Sequence, residues 1–359
     1  MKHIKFFPSA LLHWHEHFNT RQMPWKGEKD PYKIWISEII LQQTRVQQGL
    51  EYYNRFIRAF PDVKSLASAP EEKVYKLWEG LGYYSRCKNL IHSARYIHKE
   101  LKGKFPRKYE DILALKGIGN YTAAAIASFA YNEPYAVVDG NVSRVLSRFY
   151  GEEIPVNTTQ GKKFYTETAQ RLLDKNNAAL YNQAIMDLGA LICKPALPLC
   201  SQCPLSEKCV AFKKDKVTVL PINNKNIPQK IRFFNYLIAE YKGKIYIRKR
   251  VQKDIWQNLY EFILIETVSL LNENTLLKQK NVLALWKGTT FTIKKISQPQ
   301  SQKLTHQLIK GRFFHIETNR PLSTEENYHL VNKQELQDLP FPKLIAAYLT
   351  DKNVPLNLI

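Results

Sequence analysis

The stretch that decides the fold is Leu115-Lys116-Gly117-Ile118-Gly119-Asn120-Tyr121-Thr122-Ala123-Ala124-Ala125-Ile126. Glycine at positions 117 and 119 lets main-chain N–H groups approach an anion closely, because no side chain intervenes. The Ala-rich run that follows is typical of a helix, and the positive N-terminal end of a helix adds to the same anion site. Leu115 and Ile118 supply apolar anchors for the turn. The stretch therefore predicts a hairpin between helices that clamps a phosphate of a DNA backbone.

A second signal lies twenty residues beyond Gly119, where the apolar run Ala136-Val137-Val138 ends in Asp139. Residues 140–146 have helical character, so Asp139 is expected at a helix N-cap. Backbone N–H groups and the helix dipole keep a carboxylate ionised at that position. Capping alone explains such an Asp, but the same position also presents a fixed anion to a cationic intermediate.

The composition favours a polyanionic partner. The 359-residue chain carries 53 Lys and Arg residues against 32 Asp and Glu residues, a formal net charge of +21, and 12% of its residues are aromatic. Such an excess suits nucleic acid, and aromatic rings provide surfaces for stacking on bases. A basic protein without such a partner is the alternative, and the glycine hairpin argues against it.

The sequence gives no sign of a targeting or membrane segment. No apolar run is long enough to span a bilayer, and Pro8, His13 and His15 interrupt the N-terminal stretch before a secretory core could form. We therefore expect a cytoplasmic, nucleoid-associated protein with no membrane partner.

Composition changes twice along the chain. Residues 8–212 show helical periodicity broken by short turn clusters, which predicts a mostly α-helical domain over residues 1–212. The segment 213–230 is rich in Lys, Asn and Pro and lacks apolar patterning, so a linker is expected there.

Residues 231–359 show the alternation that is typical of strands, and they predict a smaller α+β domain. The clearest signal is a hairpin around the turn Lys242-Gly243. The predicted elements are strands at 233–238, 245–248, 289–296 and 313–317 and a helix over 336–349.

Four of the five cysteines lie within seventeen residues, at Cys193, Cys200, Cys203 and Cys209. The expected compartment argues against disulfides, so this spacing predicts a metal centre. Zinc and an iron–sulfur cluster both accept four thiolates, and the spacing leaves the choice between them open. Cys87 is expected to be an ordinary small helix residue.

Further motifs accompany the hairpin and the cysteines, at Met23-Pro24-Trp25 and residues 31–38, 41–44, 80–86, 138–142 and 182–189. With these motifs the sequence resembles the helix-hairpin-helix DNA glycosylases, most closely the adenine DNA glycosylases of the MutY family. The resemblance covers residues 20–211 and implies a multidomain protein, with a mostly α helix-hairpin-helix domain and a C-terminal α+β Nudix-like domain. It implies a [4Fe–4S] cluster on the four cysteines of loop 193–209, and a monomer that removes adenine mispaired with 8-oxoguanine or guanine in double-stranded DNA.

Two carboxylates suit the chemistry that this resemblance implies. Cleaving the adenine glycosidic bond requires protonation of the base and stabilisation of a cationic sugar. Glu38 shares a helix face with Ile34 and Leu41, and the expected desolvation raises a carboxyl pKa and favours proton donation. The resemblance implies that Glu38 is the general acid and that Asp139 stabilises the oxocarbenium ion.

Tyr121 separates two classes of enzyme. In relatives that resemble endonuclease III, a Lys occupies this place and attacks the sugar as an amine. A Tyr forms no Schiff base, so we expect adenine release without strand cleavage, with the Tyr121 hydroxyl near Asp139. Two alternatives stay open: a glycosylase and lyase for oxidised pyrimidines, and a DNA-binding protein without catalysis.

The resemblance also implies residues that surround a flipped base. Gln43 and Tyr83 match the residues that family members insert into the opened stack beside 8-oxoguanine, and Gln183 matches the residue that bonds the adenine edge. Met23 and Lys26 depart from the Leu and Arg common in the family. The pocket wall is expected to comprise Arg21, Met23, Trp25 and Lys26, and the further DNA-binding residues are Thr44, Gly117, Gly119 and Asn141.

Residues 247–262 resemble the start of the Nudix-like domain of the family. The acidic run that holds magnesium in Nudix hydrolases is absent after Glu266, so no pyrophosphohydrolase activity is expected. Family members recognise 8-oxoguanine through a Phe-Ser-His loop, and its counterpart here is Leu304-Thr305-His306. Thr305 and His306 are therefore predicted to contact the lesion, although a Thr and a His at a strand edge need no ligand.

Overall fold

The structure, a computed structural model, describes residues 5–44, 46–224, 228–286, 291–322 and 327–351. Contacts divide the chain into two compact units. Met1–Ser68 and Asn89–Lys225 form the first unit, and Ala69–Lys88 and Asn226–Ile359 form the second unit. The division expected from composition was contiguous, whereas here a short internal segment joins the C-terminal unit.

The first unit has helices and no strands among its described residues, as the periodicity of residues 8–212 predicted. Of the helices up to residue 213, α5 and the first residues of α6 belong to the second unit. No helix in the described part of the chain is long and apolar enough to cross a membrane. The helices are α1 (Phe6–Phe18), α2 (Pro31–Leu41), α3 (Val46–Ala59), α4 (Val63–Ser68), α5 (Glu71–Trp78), α6 (Tyr84–Lys99), α7 (Tyr109–Leu113), α8 (Asn120–Tyr131), α9 (Gly140–Tyr150), α10 (Thr159–Leu172), α11 (Ala178–Leu191) and α12 (Val210–Lys213).

Helices α2 and α8 pack against each other in the interior of the first unit. Helix α8 is buried along residues 122–128, where small Ala side chains allow close packing. Helix α2 is buried from Ile34 to Ile40 because apolar residues cover most of its circumference. A carboxylate in the last turns of α2 therefore lies among apolar side chains.

The segment expected to be a linker begins later than its composition predicted. The backbone N–H of Lys216 donates to Ala211 O at 2.8 Å, and that of Val156 donates to Ile222 O at 3.0 Å. The buried Arg148 donates from Nε to Leu220 O at 2.9 Å. Residues 213–224 thus complete the first unit, and the Leu220 carbonyl group is one of the acceptors that the buried Arg148 guanidinium needs. Residues 225–227 lie outside the described part.

A mixed sheet forms the second unit. Strands β1 and β7 are parallel, with Lys230 opposite Gln307 and Tyr241 opposite Thr318, and the other pairs are antiparallel. The order is β3-β2-β1-β7-β5, with β4 on β1, β6 on β7 and β8 on β2. The described strands are β1 (Lys230–Tyr241), β2 (Lys244–Lys249), β3 (Tyr260–Glu261), β4 (Ile263–Thr267), β5 (Phe291–Ile296), β6 (Gln300–Lys303), β7 (Gln307–Thr318) and β8 (His329–Asn332).

The predicted hairpin around Lys242-Gly243 is confirmed as β1 and β2, and the strands expected near 291–296 and 313–317 are confirmed as β5 and part of β7. Residues 289 and 290, which were expected to begin β5, lie outside the described residues. The expected helix over 336–349 is wrong in its first half. A short 3-10 helix ends at Gln337, and α15 begins only after Pro342, because proline disfavours a helical conformation in the preceding residue. The remaining described helices are α13 (Glu273–Leu276), α14 (Lys280–Leu285) and α15 (Lys343–Leu349).

The segment of residues 69–88 joins the second unit through specific polar contacts. Asn258 Nδ2 donates to the hydroxyl of Tyr75 at 2.8 Å, and the backbone N–H of Phe341 donates to Glu79 Oε1 at 2.8 Å. Lys76 Nζ donates to Leu339 O at 3.0 Å. Helix α5 and the residue after it are therefore held by turns of the C-terminal half of the chain.

Candidate active site

A cavity of about 1710 Å³ opens in the first unit. Its walls come from the loop before α2, the ends of α2, the N-termini of α8 and α9, and one face of α11. Twelve of the residues predicted from the sequence line it: Arg21, Met23, Trp25, Lys26, Glu38, Gln43, Thr44, Gly119, Tyr121, Asp139, Asn141 and Gln183.

Glu38 is buried at the wall of this cavity, with 8% of its surface exposed. Burial raises its pKa to about 7, although a hydrogen bond from the Tyr121 hydroxyl lowers it and the charge of Asp139 raises it further. The effect of desolvation on the pKa exceeds that of the hydrogen bond, because Glu38 lies on a helix that is buried among apolar side chains. The predicted desolvation of Glu38 is therefore present in the structure.

Tyr121 is the second residue of α8 and lines the cavity beside Glu38. Burial raises the pKa of its hydroxyl well above the usual range, and the neighbouring charges of Glu38 and Asp139 act in the same direction. The phenol therefore stays protonated and donates to the Glu38 carboxyl group.

Asp139 is the N-cap of α9, as predicted, and its side chain accepts from the backbone N–H of Val142 at 2.8 Å. Asn141 Nδ2 donates to its second oxygen at 2.8 Å. Burial nevertheless raises the pKa of Asp139 above its usual value, against these hydrogen bonds and the charge of Arg144. The sequence argument anticipated the hydrogen bonds but not the burial.

Arg144, which was not predicted as a site residue, connects this carboxylate to the cysteine loop. Its Nη2 donates to Asn141 Oδ1 and to Gly189 O, both at 2.8 Å, and its Nε donates to Cys193 O at 2.8 Å. A hydrogen-bonded chain thus runs from Asp139 through Asn141 and Arg144 to the first cysteine.

Asp187 is a second residue that the sequence analysis left without a role, although it lies in a quoted motif. It is fully buried under the cavity wall. Arg21 Nη1 and Gln183 Nε2 both donate to its Oδ1 at 2.9 Å. Asn19 Nδ2 donates to Oδ2 at 2.7 Å, and Lys26 Nζ lies 3.4 Å from the same oxygen. Three predicted wall residues therefore converge on one carboxylate that was not predicted.

The apolar part of the wall comes from Met23 and Trp25, which are half-buried. The ring of Trp25 meets that of Tyr53 edge to face, with centroids 5.4 Å apart. Gln43 and Thr44 follow the end of α2, and Gln43 is exposed with a φ of 57°. A left-handed backbone at a non-glycine residue is strained, a feature that is enriched at functional sites.

The glycine hairpin has the predicted geometry. Leu115 and Ile118 are buried. Gly117 has a φ of +85°, and a Cβ there would lie 2.5 Å from Asn89 Cβ. Gly119 is the N-cap of α8, lines the cavity and has open space where a Cβ would point. The fold requires glycine at position 117, since a Cβ there would overlap Asn89, whereas glycine at position 119 leaves the surface of the cavity open.

The four cysteines line a second, smaller cavity of about 30 Å³, together with Arg148 and apolar residues. Arg148 Nη1 lies 3.4 Å from Cys193 Sγ. Among the described residues, no group of three or more His, Cys, Asp and Glu side chains is arranged to hold one metal ion. The four thiols share the lining of this one cavity. They are Cys193, Cys200, Cys203 and Cys209.

Tyr83, Thr305 and His306 belong to the second unit. Thr305 and His306 are exposed in the turn between β6 and β7. The hydroxyl groups of Tyr83 and Thr305 are hydrogen-bonded at 2.7 Å, and Tyr83 has a φ of 48°. Two residues predicted independently to act at the lesion thus lie in contact.

Acidic side chains of the second unit are paired with arginines. Arg232 binds both Asp254 and Glu266, at 2.9 Å and 2.7 Å, and the buried Glu261 pairs with Arg248 and Arg250. These three carboxylates are each paired with guanidinium groups.

Known protein families match the helical part and the C-terminal part of the chain separately. Residues 36–172 match the model of the HhH-GPD superfamily base excision DNA repair proteins, and residues 235–351 match that of the NUDIX domain. An adenine DNA glycosylase of Buchnera aphidicola subsp. Baizongia pistaciae (strain Bp) is 38% identical over 258 residues, which are 71% of this chain and 73% of that protein. That of Mus musculus is 41% identical over 220 residues, 59% of this chain and 42% of that protein.

Solved structures agree on the fold of the first unit. A thermostable thymine-DNA glycosylase has a TM-score of 0.55 and 30% identity, covering 59% of this chain and 98% of its own. A non-covalent endonuclease III–DNA complex has a TM-score of 0.51 and 19% identity, covering 60% and 99%.

The helical fold and the family matches define a DNA glycosylase of base excision repair, an enzyme that acts on DNA and hydrolyses N-glycosidic bonds. More particularly, the chain belongs to the adenine DNA glycosylase family. The predicted family and fold class are thereby confirmed.

Proposed function

We propose that the protein removes adenine mispaired with 8-oxoguanine or guanine, as a monofunctional glycosylase and a monomer. One observation carries the proposal. A buried Glu38, whose pKa is raised to about 7, is hydrogen-bonded to Tyr121 in the same cavity as Asp139. Two carboxyl groups in different environments suit a reaction that needs both an acid and an anion.

Glu38 acts as the general acid. When the bond between C1′ and N9 breaks, its electron pair leaves with the base, and an anionic adenine is a poor leaving group. A carboxyl group with a pKa near 7 is half protonated at neutral pH, so it transfers a proton to the departing base. The sugar is left as an oxocarbenium ion, which water converts to an abasic site.

Asp139 stabilises that cation. Its hydrogen bonds from Val142 N and Asn141 Nδ2 hold the carboxylate at the N-terminus of α9 in one orientation. A fixed anion stabilises the developing positive charge without having to reorganise during the reaction. Tyr121 orients Glu38, and its phenol forms no Schiff base with the sugar, which supports hydrolysis without strand cleavage.

The cysteine loop is proposed to hold a [4Fe–4S] cluster. The four cysteines line one small cavity. Four thiolates can hold either a zinc ion or a four-iron cluster. The resemblance to the MutY family and the match to the HhH-GPD superfamily favour the cluster, which we expect to brace loop 193–209. Iron analysis of the purified protein tests this assignment.

Recognition of the damaged partner base is proposed for the second unit. The contact between Tyr83 and Thr305 supports a joint role, because an aromatic ring that fills a gap in the base stack also keeps the Thr305 hydroxyl in place. His306 supplies a further donor or acceptor at the same turn. On the DNA backbone, we assign phosphate binding to Gly117 and Gly119, and entry into the opened stack to Gln43 with Thr44.

The test compares two carboxylates of the same cavity. Glu38→Gln is expected to slow single-turnover adenine release from an A·8-oxoguanine duplex by on the order of a thousandfold, with duplex binding retained. Glu28→Gln is the matched control, because backbone N–H groups lower the pKa of Glu28 and leave it unsuited to donate a proton. Equal rates for the two variants would remove Glu38 from the mechanism.

A further inference from the structure

The amide of Gln183 has only one chemically permitted orientation. Its Nε2 donates to Asp187 Oδ1 at 2.9 Å, and the two residues are one turn apart on α11. Asp187 is fully buried, and the cations Arg21 and Lys26 pair with it at 2.9 Å and 3.4 Å. Asp187 is the shared ion-pair partner of these two cations, and a carboxylate only accepts hydrogen bonds.

The amide nitrogen of Gln183 must therefore face Asp187, because an amide turned the other way would set its carbonyl oxygen against the carboxylate. Its carbonyl oxygen, Oε1, is directed away from the carboxylate. Among the described residues Oε1 has no hydrogen-bond partner, and Gln183 lines the large cavity. The wall thus offers an acceptor at this place, with one amide hydrogen still free beside it.

We propose that Asp187 is a positioning residue, which fixes the amide of Gln183 so that the pocket selects a base with an exocyclic amine over a base with a carbonyl at the same place. The inference rests on the proposed function, in which the flipped adenine lies against Gln183.

The selection follows from the donors and acceptors on the base edges. Adenine carries an N6 amine, which donates to Oε1, and its N7 accepts the remaining amide hydrogen. Hypoxanthine has the same ring system with O6 in place of the amine, so it would bring two acceptors together. A site built to satisfy one hydrogen-bonding pattern rejects the isostere that leaves its polar group unpaired.

The experiment measures excision of both bases by the full-length, iron-loaded protein. Two duplexes differ only in the target nucleotide, deoxyadenosine or deoxyinosine, opposite the same 8-oxoguanine. The readout is the ratio of the two single-turnover rate constants for each variant, divided by the ratio for the unsubstituted protein. Intrinsic differences between the two leaving bases cancel in this comparison.

Asp187→Asn is expected to lower the ratio of adenine to hypoxanthine excision at least tenfold. The amide introduced at position 187 both donates and accepts hydrogen bonds, so the side-chain amide of Gln183 can flip. Asp187→Glu keeps an acceptor-only group and is expected to hold the ratio within about threefold of the unsubstituted protein. An unchanged ratio in Asp187→Asn, or a tenfold loss in Asp187→Glu, would overturn the proposal.

If Asp187→Asn yields no folded protein, the double variant Gln183→Glu with Asp187→Asn restores the charge. The carboxylate introduced at position 183 accepts from the amide introduced at position 187 and still presents an oxygen to the cavity, so the normal ratio is expected to return. A ratio reduced tenfold in the folded double variant contradicts the proposal.

Gln183→Met separates this inference from the proposed function. If adenine lies against residue 183, this variant slows adenine excision. An unchanged rate would refute the proposed position of the base. A slowed rate together with an unchanged ratio in Asp187→Asn would refute only the positioning role of Asp187.

Discussion

At the residue scale, the surroundings of the carboxyl groups in the cavity shift their pKa values in opposite directions. Burial raises the pKa of Glu38 to about 7, while backbone N–H groups of Asp30 and Lys29 lower that of Glu28. Burial also raises the pKa of Asp139, against several hydrogen bonds. The proposed general acid thus owes its raised pKa to burial on α2, and the proposed anion is held at the N-terminus of α9.

The rate of base release should fall on both the alkaline and the acid side, because the proposed reaction needs a protonated Glu38 and an ionised Asp139. Only protonated Glu38 donates a proton, so the single-turnover rate constant should fall about tenfold for each pH unit above about 7. On the acid side the rate should fall as Asp139 becomes protonated, at a pH above the usual range of Asp. Rate constants measured between about pH 5 and about pH 9 check this profile. A rate that stays level through the alkaline range would contradict the role of Glu38.

The same shift makes Glu38 unfavourable for stability. In the unfolded chain Glu38 loses its proton near its ordinary pKa of 4.5, but in the folded protein it does so only near 7. The folded state binds more protons in that window, so rising pH removes stability. Glu38→Gln should therefore raise the free energy of unfolding at about pH 8 by on the order of 2 kcal/mol, with little gain near pH 4.

Thermal unfolding of this variant at the two pH values measures the effect. Glu28→Gln serves as the control of opposite sign, since the lowered pKa of Glu28 contributes stability at neutral pH that the amide loses. Equal shifts in the two variants would show that charge removal in general, and not the burial of Glu38, governs stability.

At the element scale, the hairpin and the N-terminus of α9 bring main-chain and side-chain groups to one edge of the first unit. Gly119 begins α8 and Asp139 caps α9. Gly189 on α11 has no room for a Cβ because Asn141 lies 2.7 Å from that position. This close approach of α11 to α9 lets Arg144 bind the carbonyl groups of Gly189 on α11 and of Cys193 at the start of the cysteine loop.

The two hairpin glycines should respond differently to alanine. Gly117→Ala should lower the free energy of unfolding, because its left-handed φ is strained for alanine and the added Cβ would overlap Asn89. Gly119→Ala should leave the melting temperature nearly unchanged but weaken duplex binding, since its Cβ enters the open surface. Thermal unfolding and binding to an A·8-oxoguanine duplex at fixed salt distinguish them. Unimpaired binding by folded Gly119→Ala would argue against the phosphate clamp.

Arg144 should control the reactivity of Asp139 through Asn141. Lys at position 144 lacks the planar fork that binds Asn141, Gly189 and Cys193 together. Arg144→Lys is therefore expected to reduce single-turnover adenine release at least tenfold, while duplex binding is retained.

Arg148→Lys is the matched control, because Arg148 is also a buried arginine of α9 but its guanidinium contacts Cys193 Sγ and the carbonyl oxygen of Lys194 in place of Asn141. It should lower the iron content or the thermal stability more than the rate of the iron-loaded fraction. A normal rate in iron-loaded Arg144→Lys would mean that Asp139 is positioned without this chain.

At the scale of the whole molecule, the sequence predicted the features that depend only on residues close together in the chain. The glycine hairpin, the Asp139 N-cap and the β1–β2 hairpin are local patterns, and each is confirmed in the structure. Asp187 was missed because its partner Arg21 lies 166 positions away. The motif around Asp187 has the pattern of many half-apolar helices. Only the folded structure brings Arg21, in the loop before α2, into contact with Asp187.

The boundaries of the units depend on long-range contacts in the same way. Residues 213–224 lack apolar patterning and were expected to belong to a linker, but the Leu220 carbonyl group accepts a hydrogen bond from the buried Arg148. Residues 69–88 follow the helical pattern of the first unit, yet Tyr75 and Glu79 find their partners in the C-terminal half of the chain. Composition does not record such pairings, because it describes each segment without its partner.

The most direct test of the central claim is the product of a single turnover on a duplex with one A·8-oxoguanine pair, analysed with and without hot alkali. Hydrolysis by Glu38, Asp139 and Tyr121 predicts that adenine is released and that the strand breaks only after alkali. Strand breakage without alkali would contradict the monofunctional mechanism, and the absence of adenine release under either condition would contradict the proposed substrate.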